Sequence, residues 1–127
     1  MTDENRNERS EVPLGELPTD VMWRMALDGT IEFVSSEVYE VRGISAEEAK
    51  AQMLEQILTP ESAINSAAYM QALAEAASKG EELIPFTGFL TYLRADGSTY
   101  ECEVQAVPQV GEDGTVKLLG ISRGLIT

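Results

Sequence analysis

Residues 84–107 read IPFTGFLTYLRADGSTYECEVQAV and contain two strand-like runs joined by the pair Asp96-Gly97. Asp-Gly between two such runs is a strong hairpin signal, because glycine tolerates the positive φ that a tight turn demands. The same pair recurs at Asp28-Gly29 and Asp113-Gly114, again beside strand-like runs. The pattern predicts three hairpins and five strands, over residues 21–27, 30–34, 84–94, 98–107 and 115–122.

A helical segment separates the second predicted strand from the third. Ser35-Ser36 can cap a short helical turn. Ser45 and Glu48 have the spacing of a capping box, in which each side chain bonds the backbone amide of the other residue. We therefore predict a helix over residues 46–58.

A second, longer helix is predicted directly after the first. Thr59 can cap it, Pro60 suits its first position, and Lys79-Gly80 can end it. Its apolar stripe is predicted to consist of Ala63, Ala67, Met70, Ala74 and Ala77. Two strands, a helical crossover and three further strands predict an α+β fold, a five-stranded antiparallel sheet with helices packed on one face.

Residues 1–18 are polar and charged and show no apolar period, so they predict a flexible tail ahead of a folded domain over residues 19–127. The tail does not resemble a signal peptide. Val12, Leu14 and Leu17 have no place in the predicted core. We therefore expect this stretch to contribute to a weak homodimer.

The composition of the 127-residue chain narrows its function. A formal net charge of -13 should repel nucleic acids and anionic membrane surfaces, so we expect neither as a partner. The chain has no histidine, and Cys102 is its only cysteine. These counts exclude an intrachain disulfide and serine–histidine or cysteine–histidine catalysis, and they remove the usual ligands of zinc and most haem sites.

Five short segments, in this order, resemble the PAS family. Asp28–Ser35 resembles its "dG.I.yvN/S" opening, Gly43–Ala49 its "GYs.EEa" segment, and Leu58–Ser62 a variant common in bacterial members. Arg94–Ser98 resembles "rkDGS", and Gly120–Arg123 resembles the "GvsRDIT" exit. Each segment is a turn or cap that many folds use, but the ordered set is specific and spans residues 19–127.

The resemblance implies a cytoplasmic sensory module rather than an enzyme. PAS domains generally sense a small molecule, a cofactor or a redox change, often form dimers, and relay the result to a linked effector. The effector is commonly a histidine kinase, a diguanylate cyclase or a transcription factor. A ligand-free module that only dimerises and relays is the alternative expectation. We expect output to leave through the C-terminus, where a linker to the effector would begin.

Some departures from the family bear on cofactors. Haem-binding members typically use a histidine, which this chain lacks, and flavin photosensors use a cysteine in a helical Gly-x-Asn-Cys-Arg motif that is absent here. Haem, zinc and a cysteinyl-flavin adduct are therefore disfavoured, and an unknown small molecule is the expected ligand. Gly124 stands where the exit motif usually has aspartate, unless a one-residue insertion places Ile126-Thr127 at the usual Ile-Thr positions.

Large residues close to the expected PAS cavity are the candidates for ligand contact. Leu27 lies in the same region, but any one of these residues can equally be ordinary core. Strand alternation places Cys102 on the face toward the helices, as a small buried hydrophobe or a pocket-lining thiol. The candidates are Trp23, Met25, Phe33, Tyr39, Met53, Met70, Tyr100 and Cys102.

Three arginines could meet an anionic ligand. These are Arg24, Arg42 and Arg94. On so acidic a chain we expect each of them to pair instead with an aspartate or glutamate, as exposed ion pairs of about 0–1 kcal/mol.

Overall fold

The structure, a computed structural model, describes residues 20–124. The predicted tail, with Val12, Leu14 and Leu17, and the alternative alignment at Ile126-Thr127 lie outside this range. The strands are β1 (Val21–Ala26), β2 (Ile31–Val34), β3 (Phe86–Leu93), β4 (Thr99–Val110) and β5 (Val116–Gly124). Between β2 and β3 lie four helices, which are α1 (Val38–Arg42), α2 (Ala46–Lys50), α3 (Leu54–Ile57) and α4 (Pro60–Ser78).

The five strands form one antiparallel sheet in the order β2-β1-β5-β4-β3. The last strand therefore lies in the centre, between the first strand and the hairpin partner β4. The helices cover one face of the sheet, and the shared core contains side chains from both layers, including Met25, Leu90, Val104 and Leu118 from strands and Val38, Ile57 and Met70 from helices. The predicted fold is confirmed.

The three Asp-Gly turns are built alike. Gly29, Gly97 and Gly114 have φ values of 95°, 88° and 83°, which only glycine adopts without strain. Each preceding aspartate accepts a hydrogen bond of 2.9 Å from the backbone amide two residues later, as in Asp96 Oδ1 with the Ser98 amide. These turns set the register of the hairpins β1–β2, β3–β4 and β4–β5.

A β-bulge alters the alternation of β2. Arg24 is paired with Phe33 and Met25 with Ile31, so Glu32 is an extra residue in the ladder. The bulge turns Ile31 toward the core and Phe33 toward the outer face, beside Arg24.

The helix predicted over residues 46–58 is interrupted. The capping box of Ser45 and Glu48 is present, but α2 ends at Lys50 and α3 begins at Leu54. Met53 has an extended backbone, and its amide donates to the Gln56 side chain over 2.9 Å. This reach-back bond starts a new helix, which the apolar spacing alone did not indicate.

The longest helix, α4, has the predicted limits but a different buried face. Ala67 and Ala74 are exposed, contrary to the predicted stripe, and the larger side chains of Leu73 and Tyr69 occupy the core side with Met70. Thr59 precedes the helix, but its side chain makes no cap hydrogen bond.

The start of α4 is instead tied to the edge strand β3. The Thr59 amide donates to the Thr91 carbonyl at 3.0 Å, and the Ser62 hydroxyl accepts from the Thr91 amide at 2.8 Å.

Within residues 20–124, the helices are all too short or too polar to span a bilayer.

Candidate ligand cavity

A cavity lies between the inner face of the sheet and the helices. Its volume is about 90 Å³ for the centres of water-sized spheres. A single water needs only about 10–15 Å³ on this measure, so there is room for a small molecule. The wall is mostly apolar and comes from both layers, with Met25, Ile31, Val34, Leu90 and Leu118 from the sheet and Val38, Leu54, Ile57 and Met70 from the helices.

Five of the eight candidate residues line this cavity. Strand β1 contributes two of them, β4 two and α4 one; they are Trp23, Met25, Met70, Tyr100 and Cys102. Cys102 is 1% exposed, between Tyr100 and Val104 on the inward-facing side of β4, as the alternation predicted.

The other three candidates lie on the surface, and their predicted placement beside the cavity is wrong. Phe33 is 44% exposed because the bulge in β2 turns it outward. Tyr39 is 62% exposed because Val38 and Arg42, one turn apart, form the buried side of α1. Met53 is 56% exposed because it lies in the break between α2 and α3.

A chain of polar groups crosses the cavity wall. The Trp23 indole N–H donates to the Ser122 hydroxyl at 2.9 Å, and that hydroxyl lies 2.7 Å from the hydroxyl of Tyr92. The three residues belong to β1, β5 and β3, so this network links non-neighbouring strands through the central strand. It also supplies the cavity with hydrogen-bonding groups among its apolar side chains.

Gly120 makes room for the Trp23 ring. The two residues are paired across β1 and β5, and a Cβ atom on Gly120 would lie 2.1 Å from the indole. The close approach of ring and backbone therefore requires glycine at this position. Sequence reasoning missed Tyr92 and Ser122 as lining residues and Gly120 as the residue that makes room for the Trp23 ring. Gly120 and Ser122 fall within the exit motif.

The phenols of the cavity wall stay protonated near neutrality. Burial raises the pKa of both Tyr92 and Tyr100 well above the ordinary value. Their rings lie 5.7 Å apart, and the Arg94 guanidinium lies 4.4 Å above the Tyr100 ring. This side of the cavity is therefore aromatic, and the Arg94 guanidinium stacks on the Tyr100 ring.

The three arginines have different surroundings. Arg24 forms the expected surface ion pair with Glu32 at 3.3 Å, and Lys117 also contacts Glu32. Arg94 stacks on Tyr100, and it forms no ion pair at 4.0 Å or less with an acid of the described residues 20–124. Arg42 lines the cavity, and no carboxylate of residues 20–124 lies within 4.0 Å of it. The predicted acid pairing is thus wrong for Arg42 and Arg94.

A buried ion pair joins the two ends of the described chain. Arg123 donates to both carboxylate oxygens of Asp20, at 3.0 and 2.9 Å, and each side chain is 1% exposed. The pair clamps the residue before β1 to the end of β5, next to Ser122 of the cavity wall. Asp20 could not be identified from the sequence, because it meets Arg123 only when β1 lies beside β5 in the sheet.

A family model described as "PAS fold" matches residues 18–123. The chain belongs to the PAS family. No curated protein matches this PAS domain in sequence.

Several solved PAS domains share its fold. A PAS domain from Colwellia psychrerythraea is 21% identical, with a TM-score of 0.67 over 98% of each chain. The PAS domain of an HTR-like protein from Haloarcula marismortui is 22% identical, with a TM-score of 0.69 over 98% of this chain and 95% of that one. A domain of a sensory box sensor histidine kinase/response regulator from Geobacter sulfurreducens is 20% identical, with a TM-score of 0.62 over 97% and 96%.

Family membership fixes the broad role of the domain. A PAS domain is a sensory and regulatory module of signal transduction, and it is not itself catalytic. No group of three or more metal-ligating side chains occurs among residues 20–124.

Proposed function

We propose that this PAS domain is the cytoplasmic input module of a larger signalling protein. It binds a small, non-haem molecule in the cavity and relays binding to an effector that follows it in the chain. The observation that carries this proposal is the cavity itself, a mostly apolar space between sheet and helices with hydrogen-bonding groups at its wall, which is the usual form of a small-molecule site.

The size of the cavity supports a ligand smaller than haem or flavin. Sites for drug-sized ligands and cofactors measure about 300–1,000 Å³. The 90 Å³ available here suits a molecule of a few heavy atoms. Zinc is disfavoured on separate grounds, because the chain lacks histidine and Cys102 is its only thiol.

The position of β5 supports relay toward the C-terminus. Ser122 of β5 bonds the cavity residues Trp23 and Tyr92, and the next residue, Arg123, forms the buried pair with Asp20. A ligand that binds one arrangement of this network more tightly shifts the equilibrium toward that arrangement. The size of the shift is set by the difference in binding free energy between the two arrangements. For such coupling about 1–3 kcal/mol is typical.

A histidine kinase is the best supported effector. The similar Geobacter sulfurreducens domain belongs to a sensor histidine kinase/response regulator. A diguanylate cyclase is the alternative effector, on the resemblance of the sequence alone.

Native mass spectrometry of the purified domain tests ligand binding most simply. We expect a co-purifying small mass that is lost on unfolding. A Soret band, a bound zinc ion or a light-induced flavin bleach would contradict the proposed ligand class. A protein that carries no added mass and binds nothing from a metabolite panel would overturn the sensor proposal.

A ligand-free dimerisation module is the second candidate, and the outer face of the sheet favours it. Met22, Val107 and Phe89 are 40%, 48% and 60% exposed there. Sedimentation of the full chain and of a form lacking residues 1–18 tests the homodimer. We expect the full chain to associate more strongly, and identical monomeric behaviour of both would exclude a role for those residues in assembly.

A further inference from the structure

Arg42 is the charged residue of the cavity wall. It ends α1, it is 5% exposed, and its side chain lies near Tyr92, Tyr100 and Cys102. Burial lowers the pKa of its guanidinium, although an arginine remains charged at neutral pH. A full positive charge is therefore held beside a mostly apolar and otherwise uncharged space.

The hydrogen bonds of Arg42 leave most of its guanidinium unused. Its Nε donates to the Leu93 carbonyl at 2.7 Å. Within residues 20–124, neither terminal nitrogen has a hydrogen-bond partner. Among these residues the only fully enclosed side-chain polar atom without a partner is Gln52 Oε1. The terminal nitrogens of Arg42 are therefore not fully enclosed by protein atoms, and Arg42 is one of the residues that line the cavity.

No ion pair within residues 20–124 compensates the buried charge of Arg42. A buried ion is unfavourable unless a counter-ion and hydrogen bonds compensate its lost hydration. The backbone of Arg42 already fastens α1 to the β3–β4 hairpin, since its carbonyl accepts from the Ala95 amide at 2.9 Å. Arg94 adds a second tie, from its Nε to the Val41 carbonyl at 3.3 Å. The contact between these elements does not depend on the two terminal nitrogens.

The chemistry of the wall defines the missing partner. A guanidinium presents two parallel N–H groups that match a carboxylate. One cation in an apolar cavity suits a singly charged anion better than phosphate, whose second charge would stay uncompensated. Met25, Met70 and Leu90 line the same cavity and can contact a hydrocarbon chain. The volume of about 90 Å³ limits that chain to a short one.

We propose that the cavity binds a short-chain carboxylate, with its carboxylate group on the Arg42 guanidinium and its hydrocarbon part against the apolar wall. This inference rests on the proposed sensor function and names its ligand class. The anion contacts Arg42, whose side chain also donates a hydrogen bond to Leu93 at the end of β3. Binding therefore also affects the β3–β4 hairpin.

Butyrate and butyramide are the probes, because they have nearly the same shape and differ in charge. Calorimetry and thermal melting of the full chain are performed with sodium butyrate, with butyramide and with sodium chloride at matched ionic strength. We expect butyrate to bind at least about tenfold more tightly than butyramide, as for a desolvated charge pair. Only butyrate should raise the melting temperature at millimolar concentration.

Arg42→Gln should remove the preference for butyrate, and Arg42→Lys should retain part of it. Arg24→Gln is the matched control, because Arg24 is an exposed arginine outside the cavity, and it should bind like the wild type. Circular dichroism checks the fold of each variant. If Arg42→Gln does not fold, the inference is decided by two other measurements. These are the preference of the wild type for butyrate over butyramide and the part of that preference that Arg42→Lys retains.

The outcomes separate this inference from the proposed function. Equal binding of butyrate and butyramide would overturn the role of Arg42 while leaving a cavity that binds small molecules. Binding of neutral molecules but of no carboxylate would do the same. Unchanged butyrate binding by folded Arg42→Gln would place the carboxylate elsewhere and overturn the inference. Failure of every small molecule to bind would overturn the sensor proposal as well.

Discussion

Replacing Gly120 with alanine should push the Trp23 indole out of its place in the cavity wall. The added Cβ would lie 2.1 Å from the ring, and the two nearest further ring atoms are both at 2.4 Å. Real carbon contacts of this kind are longer, so the ring must move. Its hydrogen bond to Ser122 would then be lost.

The magnitude follows from these two effects. Overpacking of a well-packed site costs about 1–3 kcal/mol. Loss of the indole–hydroxyl bond adds about 0.5–1.5 kcal/mol. Together they should lower the free energy of unfolding by about 2–4 kcal/mol, which corresponds to a fall in Tm of about 6–20 °C for a domain of this size.

Urea unfolding followed by fluorescence and circular dichroism measures this change. Trp23 is the only tryptophan, so the emission reports on this ring alone. Gly124→Ala is the matched control on the same strand, because its added Cβ would meet the Tyr100 ring at an ordinary 3.6 Å. The reasoning is refuted if Gly120→Ala matches Gly124→Ala in stability and leaves the wild-type emission unchanged.

Three further predictions concern the clamp, the turns and the exit. Asp20→Ala should lower the free energy of unfolding by about 3–5 kcal/mol, because it removes a carboxylate that accepts two hydrogen bonds from the buried Arg123. Adding Arg123→Met should recover part of the loss, and a loss under about 1 kcal/mol in denaturant titration would contradict this. Hydrogen bonds from the residue two positions later lower the pKa of the turn aspartates, so the unfolded state binds more protons and stability should fall as pH drops through the ordinary value of 3.8. The triple variant Asp28→Asn, Asp96→Asn and Asp113→Asn should therefore lose less stability in acid than the wild type, as measured by thermal melting. An identical pH dependence of the two proteins would count against this prediction. Gly124→Asp in the full-length protein should strengthen ligand-dependent effector output, and output unchanged with and without ligand would exclude the exit as the relay.

Much of the fold was predictable because its signals are local. The aspartate and the glycine of each turn are adjacent, and the capping box spans four residues. The break after Lys50 was not predictable from apolar spacing, because it depends on the bond between Met53 and Gln56. The bulge in β2 was likewise hidden, because it appears only when Arg24 and Met25 are paired with their partners.

The cavity was predicted only in part for a related reason. Alternation along β4 correctly placed Tyr100 and Cys102 on the inner face. It could not show that Trp23 lies over Gly120, because these residues are far apart in sequence and become neighbours only through the strand order. The lack of an ion pair at Arg42 within the described part of the chain was equally invisible, because the acidic composition favoured such a pair.

Methionine-methyl NMR tests the central claim, ligand binding in the cavity, most directly. Met25 and Met70 line the cavity, whereas Met22 and Met53 are 40% and 56% exposed and act as internal controls. A 13C-methyl-methionine sample is titrated with butyrate, butyramide and any molecule that co-purifies, after assignment by substitution. We expect the Met25 and Met70 signals to shift together and saturably while those of Met22 and Met53 stay in place. Shifts confined to Met22 and Met53, or no saturable shift with any molecule, would contradict the claim.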